Sequence, residues 1–227
     1  SPNRRANAPT KPCNPPPLNQ RLNVLQYNVG GLSTHKLEEV KQWGLHIQAD
    51  VIVLTETRWS FSSEWSDGVW HALHSGTPTD RADGILILFR ASSIMESQIG
   101  SVALLPGRLI HVRIHYRQRA CDFLCCYNFM DDRSTARLNQ RHQFWTELDA
   151  CISHIPNRNS ILIAGDMNCS VGMDPPYVGT SFFTWQDHHC QGPQHRDMTT
   201  FHQIIRKHHL TILNGWNANS GPTFHNC

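Results

Sequence analysis

Four short apolar runs in this chain end in polar side chains, and that repetition narrows its possible folds more than any other feature. Leu22 to Tyr27 leads to Asn28, and Val51 to Leu54 leads to Glu56. The segment 119–130 leads out to Tyr127 and Asn128, and Ile161 to Ala164 leads to Asp166 and Asn168. Short apolar runs bounded by glycine read as buried strands. Layered α/β folds build their sites where such strands end.

The segments between these strands fill in the class. Ser33 or Thr34 is a plausible helix N-cap, with Leu37, Val40 and Ile47 near helical spacing behind it. The longest helix is expected over about 134–155, where Leu138, Arg141 or His142, Trp145, Leu148, Ile152 and Ile155 recur every three to four residues. Further strands are expected at 82–90, 108–116 and in "TILNGW", and a short amphipathic helix in "TTFHQIIRKHHL". Strands alternate with helices first and follow one another later, which makes an α/β layered domain with two sheets. Residues 1–20 are Pro-rich and poor in large apolar side chains, so a disordered lead-in is expected ahead of one domain over 21–227.

Composition removes several classes. A net charge of +2 does not announce nucleic-acid binding, although a local basic patch is compatible with it. No apolar run approaches the ~20 residues that span a bilayer, and no signal-peptide core opens the chain. The first residue is not Met, so the chain reads as a fragment, a processed product or a trimmed piece. Eight cysteines are irregularly spaced, and Cys121, Cys125, Cys126 and Cys151 lie in apolar segments. They read as reduced thiols of an intracellular protein, with no CxxC pair for zinc.

The polar strand ends suggest chemistry. Asp166 and Asn168 are two apart, so both side chains share one side if the extended path continues. A carboxylate is a base or a metal ligand, and a carboxamide can hold a phosphate oxygen or a water. The same spacing suits an Asx turn that merely ends the strand, and on this segment alone both readings stand. Asn28, Glu56 and Asp166 at three equivalent places offer the oxygen donors that suit Mg²⁺. Bound Mg²⁺ would stabilise charge on a phosphate while a carboxylate orients the attacking water.

In order, the segments LQYNVGGL, DVIVLTET, DGILILFR, CCYNFM, HQFWTEL with ILIAGDMN, and GPTF resemble the endonuclease/exonuclease/phosphatase family. They look most like the endonuclease domain of LINE-type (non-LTR) retrotransposons, related to the apurinic/apyrimidinic endonucleases. The resemblance covers about residues 21–227. It implies a four-layer α/β sandwich, two sheets flanked by helices. It implies Mg²⁺, or Mn²⁺, with Glu56 as direct ligand and Asn28 at the metal. Tyr127 would assist the phosphate or the nucleophile, Asp166 would orient or deprotonate the water, and Asn168 would bind the phosphate. Asn128 and Thr223 would contact substrate. The implied activity is nicking of one DNA strand to leave a 3′-hydroxyl. The implied setting is a nuclear monomer off the membrane, with a reverse transcriptase domain downstream in the parent.

The family pattern continues with a Ser-x-Ile-Asp segment and closes with Ser-Asp-His, and the 227 residues contain neither. The expectation is therefore a C-terminally truncated copy, lacking the final strands and impaired in catalysis. Whether it is an enzyme stays open at this stage. The alternatives are a non-catalytic remnant or nucleic-acid-binding module, or a phosphatase or sphingomyelinase branch, whose lipid- or inositol-recognising loops are not seen. Four further signals read as structural or solvated. These are "DHHC" at 187–190, the histidines His188, His189, His195 and His202, and the tryptophans Trp59, Trp65 and Trp70. The fourth is Arg133, Arg137 and Arg141, four apart, which could equally face a DNA backbone or solvent.

Overall fold

The computed structural model describes residues 22–216, apart from 79, 81, 117–118, 173, 175 and 180–196. Its first sheet contains β1 (Val24–Asn28), β2 (Val51–Thr55), β3 (Ser63–Ser66), β4 (Trp70–Ser75) and β5 (Ile85–Arg90), in the order β1-β2-β5-β4-β3. The second contains β6 (Ile99–Leu105), β7 (Leu109–Tyr116), β8 (Arg119–Tyr127) and β9 (Ser160–Asp166), in that order. Each sheet holds one parallel pair, β1 with β2 and β8 with β9. A parallel pair needs a crossover. Helix α1 (Thr34–His46) supplies it in the first sheet and α2 (Thr135–His154) in the second.

The period-2 alternation of strands explains the layers. In β2, Val51 and Val53 face the second sheet while Ile52 and Leu54 pack toward α1. In β5, Ile85, Ile87 and Phe89 face inward, and Leu86 and Leu88 face the helix layer. In β8, Phe123, Cys125 and Tyr127 face the first sheet, while Leu124 and Cys126 pack under Phe144, Trp145 and Leu148 of α2. Helix α3 (Met198–Lys207) adds Phe201, Ile204 and Ile205 to that outer layer. The result is helix, sheet, sheet, helix: the expected four-layer sandwich. Full burial of a side chain such as Phe123 contributes roughly 1.5–3 kcal/mol.

Local signals account for the element ends. The Ser33 hydroxyl accepts from the Lys36 amide at 3.2 Å and caps α1, as read from the sequence. Ser134 caps α2 in the same way through Arg137. Three strands, β3, β4 and β6, were not anticipated. "TILNGW" is not a strand: Ile212 bridges Val178, and Leu213–Trp216 forms a 3₁₀ turn. Asn214 and Gly215 are turn formers that interrupt the apolar run. Ile47 and Leu138, expected on helix inner faces, are 41% and 42% exposed. Ile47 falls at the C-cap of α1, outside the helical repeat. Trp70 is buried against α1, so packing explains it. The five described cysteines are free thiols, and among the described residues no helix is long and apolar enough to cross a membrane.

One glycine sets how closely β9 approaches β8. Gly165 has φ 147°, and a Cβ there would lie 1.8 Å from the Cys126 carbonyl oxygen. Gly165→Ala should destabilise the fold by about 2–4 kcal/mol, the sum of backbone strain and overpacking. Urea denaturation would measure it, and a loss below about 1 kcal/mol would mean that β8 and β9 separate without cost.

Candidate functional site

The alternation that builds the core also aims the strand ends. Val24 faces the inter-sheet core, so Asn28, four residues on, lies on the same face of β1. Leu162 and Ala164 face that core from β9, so Asp166 does as well. The two side chains meet across the sheets: Asn28 Nδ2 donates to Asp166 Oδ2 at 3.1 Å. The other oxygens hold their own loops. Asn28 Oδ1 accepts from Gly30 N at 3.0 Å, and Asp166 Oδ1 accepts from Asn168 N at 2.9 Å. The Asx turn is therefore present on one carboxylate oxygen of Asp166, and the other oxygen is held by Asn28 across the sheets.

Glu56 follows β2 in left-handed backbone at φ 60°, which breaks the strand alternation, and Arg58 repeats this at φ 61°. Such conformations cost of order 1–3 kcal/mol for ordinary residues and gather at functional sites. The Glu56 carboxylate pairs with the Arg58 guanidinium and accepts from the Tyr127 hydroxyl. Burial, with the Glu56 carboxylate next in weight, pushes the Tyr127 phenol far above its ordinary value. Tyr127 is thus a protonated donor, not a phenolate. Arg108, itself buried, stacks its guanidinium 4.6 Å from the Tyr127 ring centroid and 4.3 Å from that of Phe129.

Asn168 adopts φ 43°, a conformation asparagine tolerates, and its Nδ2 donates to the Asn128 carbonyl at 2.7 Å. Asn128 is fully buried. Its Oδ1 accepts from Phe129 N at 2.8 Å, while its Nδ2 has no hydrogen-bond partner. Thr223, "DHHC" and His188, His189 and His195 lie outside the described residues. His202 accepts from Gly172 N and pairs with Asp174, a structural role.

The arginine stripe resolves into three different roles. Arg133 precedes α2 and is exposed, and Arg137 covers the Phe129 ring at 5.1 Å. Arg141 is buried and pairs with Asp197 at 2.5 Å. It also donates to the Phe129 and Asn168 carbonyls, tying the loops after β8 and β9 to α2. Its single-residue signal, an arginine at a core-facing helical position, was visible in the sequence, but its partner Asp197 was not.

The oxygen donors fit a hard divalent cation. Two carboxylates, Glu56 and Asp166, both lie near Tyr127 at the strand ends, and the Asn28 carboxamide bonds Asp166.

Several comparisons bear on this arrangement. The profile of the "Endonuclease/Exonuclease/phosphatase family" matches residues 25–226. An AP endonuclease from Archaeoglobus fulgidus is similar in structure, with a TM-score of 0.57, 17% identity and coverage of 82% of this chain and 71% of its own. AP endonuclease LMAP from Leishmania major has a TM-score of 0.60 at 11% identity, over 82% of this chain and 66% of that one. The endonuclease domain of TRAS1, a telomere-specific non-LTR retrotransposon, has a TM-score of 0.52 at 14% identity, over 81% and 72% of the two chains. Identities this low speak for a shared fold. No curated protein sequence matches significantly.

Two predictions follow from the packing around the site. Arg141→Leu should leave Asp197 buried without its charge partner and cost about 3–5 kcal/mol, with Arg141→Lys failing to restore it; thermal melts would show this. His74, bonded to Thr57 at 2.8 Å beside the Glu56 loop, is pulled down to about 4 by burial. The unfolded chain binds a proton near pH 6.5 that the folded chain refuses until about pH 4. Stability should therefore be flat in this respect above pH 6.5 and fall through that window as pH drops, by at most about 1.4 kcal/mol per pH unit. His74→Gln should remove that slope in denaturant titrations run across the window.

Proposed function

The chain belongs to the endonuclease/exonuclease/phosphatase family, and from that premise we propose that it is a Mg²⁺-dependent phosphodiesterase-type endonuclease domain that nicks DNA. One observation carries the reading. The carboxyl ends of both parallel pairs meet at the Asn28–Asp166 hydrogen bond, with Glu56 and Tyr127 beside it. That arrangement sets a base, hard oxygen ligands and a fixed proton donor around one cleft.

In the proposed reaction Asp166 takes a proton from a water as the water oxygen bonds to phosphorus. The P–O3′ bond breaks, leaving a 5′-phosphate and a 3′-oxygen that gains a proton from solvent. Glu56 and Asn28 would hold Mg²⁺, for which Mn²⁺ can substitute. The ion supplies polarisation of the phosphoryl oxygen and neutralisation of its charge. Tyr127, kept protonated by burial and by Glu56, would donate to a phosphoryl oxygen. Asn168, Asn128 and Thr223 would bind the phosphate backbone. The similarity to the TRAS1 domain supports a retrotransposon setting. That setting carries a nuclear location, a monomeric domain and a reverse transcriptase domain as partner in the parent.

A second reading has its own observation. Glu56 is ion-paired to Arg58, and each Asp166 oxygen has an internal partner. A nucleic-acid-binding module without chemistry would look the same. Nicking of supercoiled plasmid separates the two. The chain with Mg²⁺ should nick, EDTA should abolish nicking, and Asp166→Ala should lower the rate about 10²–10⁴-fold. Glu56→Gln should weaken Mg²⁺ binding in calorimetry. No nicking above the Asp166→Ala background would replace the enzymatic reading with the binding module.

A further inference from the structure

A second constellation lies at the far end of the first sheet. In the strand register His71 pairs with Phe89, and Phe89 pairs with Val51 at the start of β2. Thr55, at the site end of β2, is four residues further along, about 13 Å at strand rise. This locus is therefore separate from the cleft around Asp166.

Three chain segments meet there. His71 comes from β4. Glu64 comes from the edge strand β3, two residues from Ser66, the register partner of His71, and so within diagonal cross-strand reach. Glu96 opens the 3₁₀ turn Glu96–Gln98, where the chain passes from the first sheet to β6 of the second. Glu64 Oε1 lies 3.1 Å from His71 Nε2, and Glu96 Oε2 lies 3.7 Å from Nδ1. One ligand atom from each residue falls within 4.8 Å of the others.

The condition of His71 points to a ligand. Its side chain is 3% exposed, yet neither ring nitrogen makes a hydrogen bond. The 3.1 Å contact with Glu64 is close but not aligned for N–H donation. A buried imidazole without a hydrogen-bond partner is costly. Its ring stacks on Phe89 at 6.3 Å, which fixes its plane. The two carboxylates are by contrast exposed, at 56% and 67%, and free to adjust. A surface depression of about 610 Å³, lined by Glu64, Met95, Glu96 and Ser97, opens beside the two carboxylates.

We propose that Glu64, His71 and Glu96 form a metal site for a borderline divalent transition metal of the Zn²⁺ type, with solvent completing the shell. The donor set selects the ion. Imidazole suits Zn²⁺ and its neighbours, whereas Mg²⁺ takes oxygen donors and retains its waters. Imidazole nitrogen and carboxylate oxygen are both zinc ligand types, and three protein ligands leave a fourth place for water. The metal would fasten edge strand β3 to the crossover between the sheets. The site differs in place and hardness from the Glu56 cleft, so its test does not depend on the nuclease reading.

Zn²⁺ binding to the 227-residue chain, measured by calorimetry in excess Mg²⁺, tests the proposal. One Zn²⁺ should bind, and Glu64→Gln and Glu96→Gln should each weaken it at least about tenfold. Both positions are exposed, so folding should be unaffected. Glu56→Gln should leave the Zn²⁺ affinity unchanged. Co²⁺ in place of Zn²⁺ should give ligand-field absorption without a thiolate charge-transfer band, which separates this site from the cysteines. Unchanged Zn²⁺ affinity in the Glu64→Gln/Glu96→Gln double variant, a thiolate band, or no Zn²⁺ bound at all would each overturn it. The three residues would then be a buried histidine packed between two exposed glutamates.

Discussion

Face-to-face burial of the two sheets is the constraint from which the rest of this molecule follows. Val51, Val53, Ile85 and Ile87 on one side, and Ile110, Val112, Phe123 and Cys125 on the other, fill the seam. Because each strand alternates, filling the seam also commits every second residue beyond it. Asn28 and Asp166 occupy those positions at the end of the seam, and they meet there. Because that apolar packing sets the separation of the sheets, it also sets the distance between the two polar groups.

The crossover helices follow from the same burial. Since the inner face of each sheet is taken by the other sheet, α1 and α2 can only cover the outer faces. Because the strands of each pair run parallel, their carboxyl ends lie at one edge of the sheet. The loops that leave those ends are short of regular structure and are held by local devices instead. Left-handed backbone at Glu56, Arg58 and Asn168, Asx turns at Asn28 and Asp166, and the buried Arg141 guanidinium fix them in place. Left-handed backbone at Glu56, Arg58 and Asn168 and the buried Arg141 thus gather where those loops leave the sheets.

Much of this was legible in the residues. Asn28, Glu56, Tyr127 and Asp166 stood out because each follows an apolar run, and a strand announces its end through composition. The helices α1 and α2 were legible from their spacing, and α1 also from its N-cap at Ser33. Strands β3, β4 and β6 were not. "SEWS" has too few apolar residues to read as a strand, and "WHALHS" carries two histidines within a fully buried strand. "IGSVALL" contains a glycine and exposes much of one face. Arg141 was grouped with two arginines that could face DNA or solvent, because its partner Asp197 is 56 residues away.

By itself, the sequence determined strands β1, β2, β5 and β7 to β9, the three helices, the layered class and the polar side chains at the strand ends. Those depend on periodicity and capping, which act over a few residues. The tertiary structure alone decided that Asn28 reaches Asp166 across 138 positions. It alone decided that Glu56 turns back to Tyr127, and that His71 lies buried between Glu64 and Glu96. Such contacts arise when two sheets fold face to face and when an edge strand lies beside an inter-sheet crossover. No local pattern of residues encodes a distance between segments that only the shared apolar core brings together.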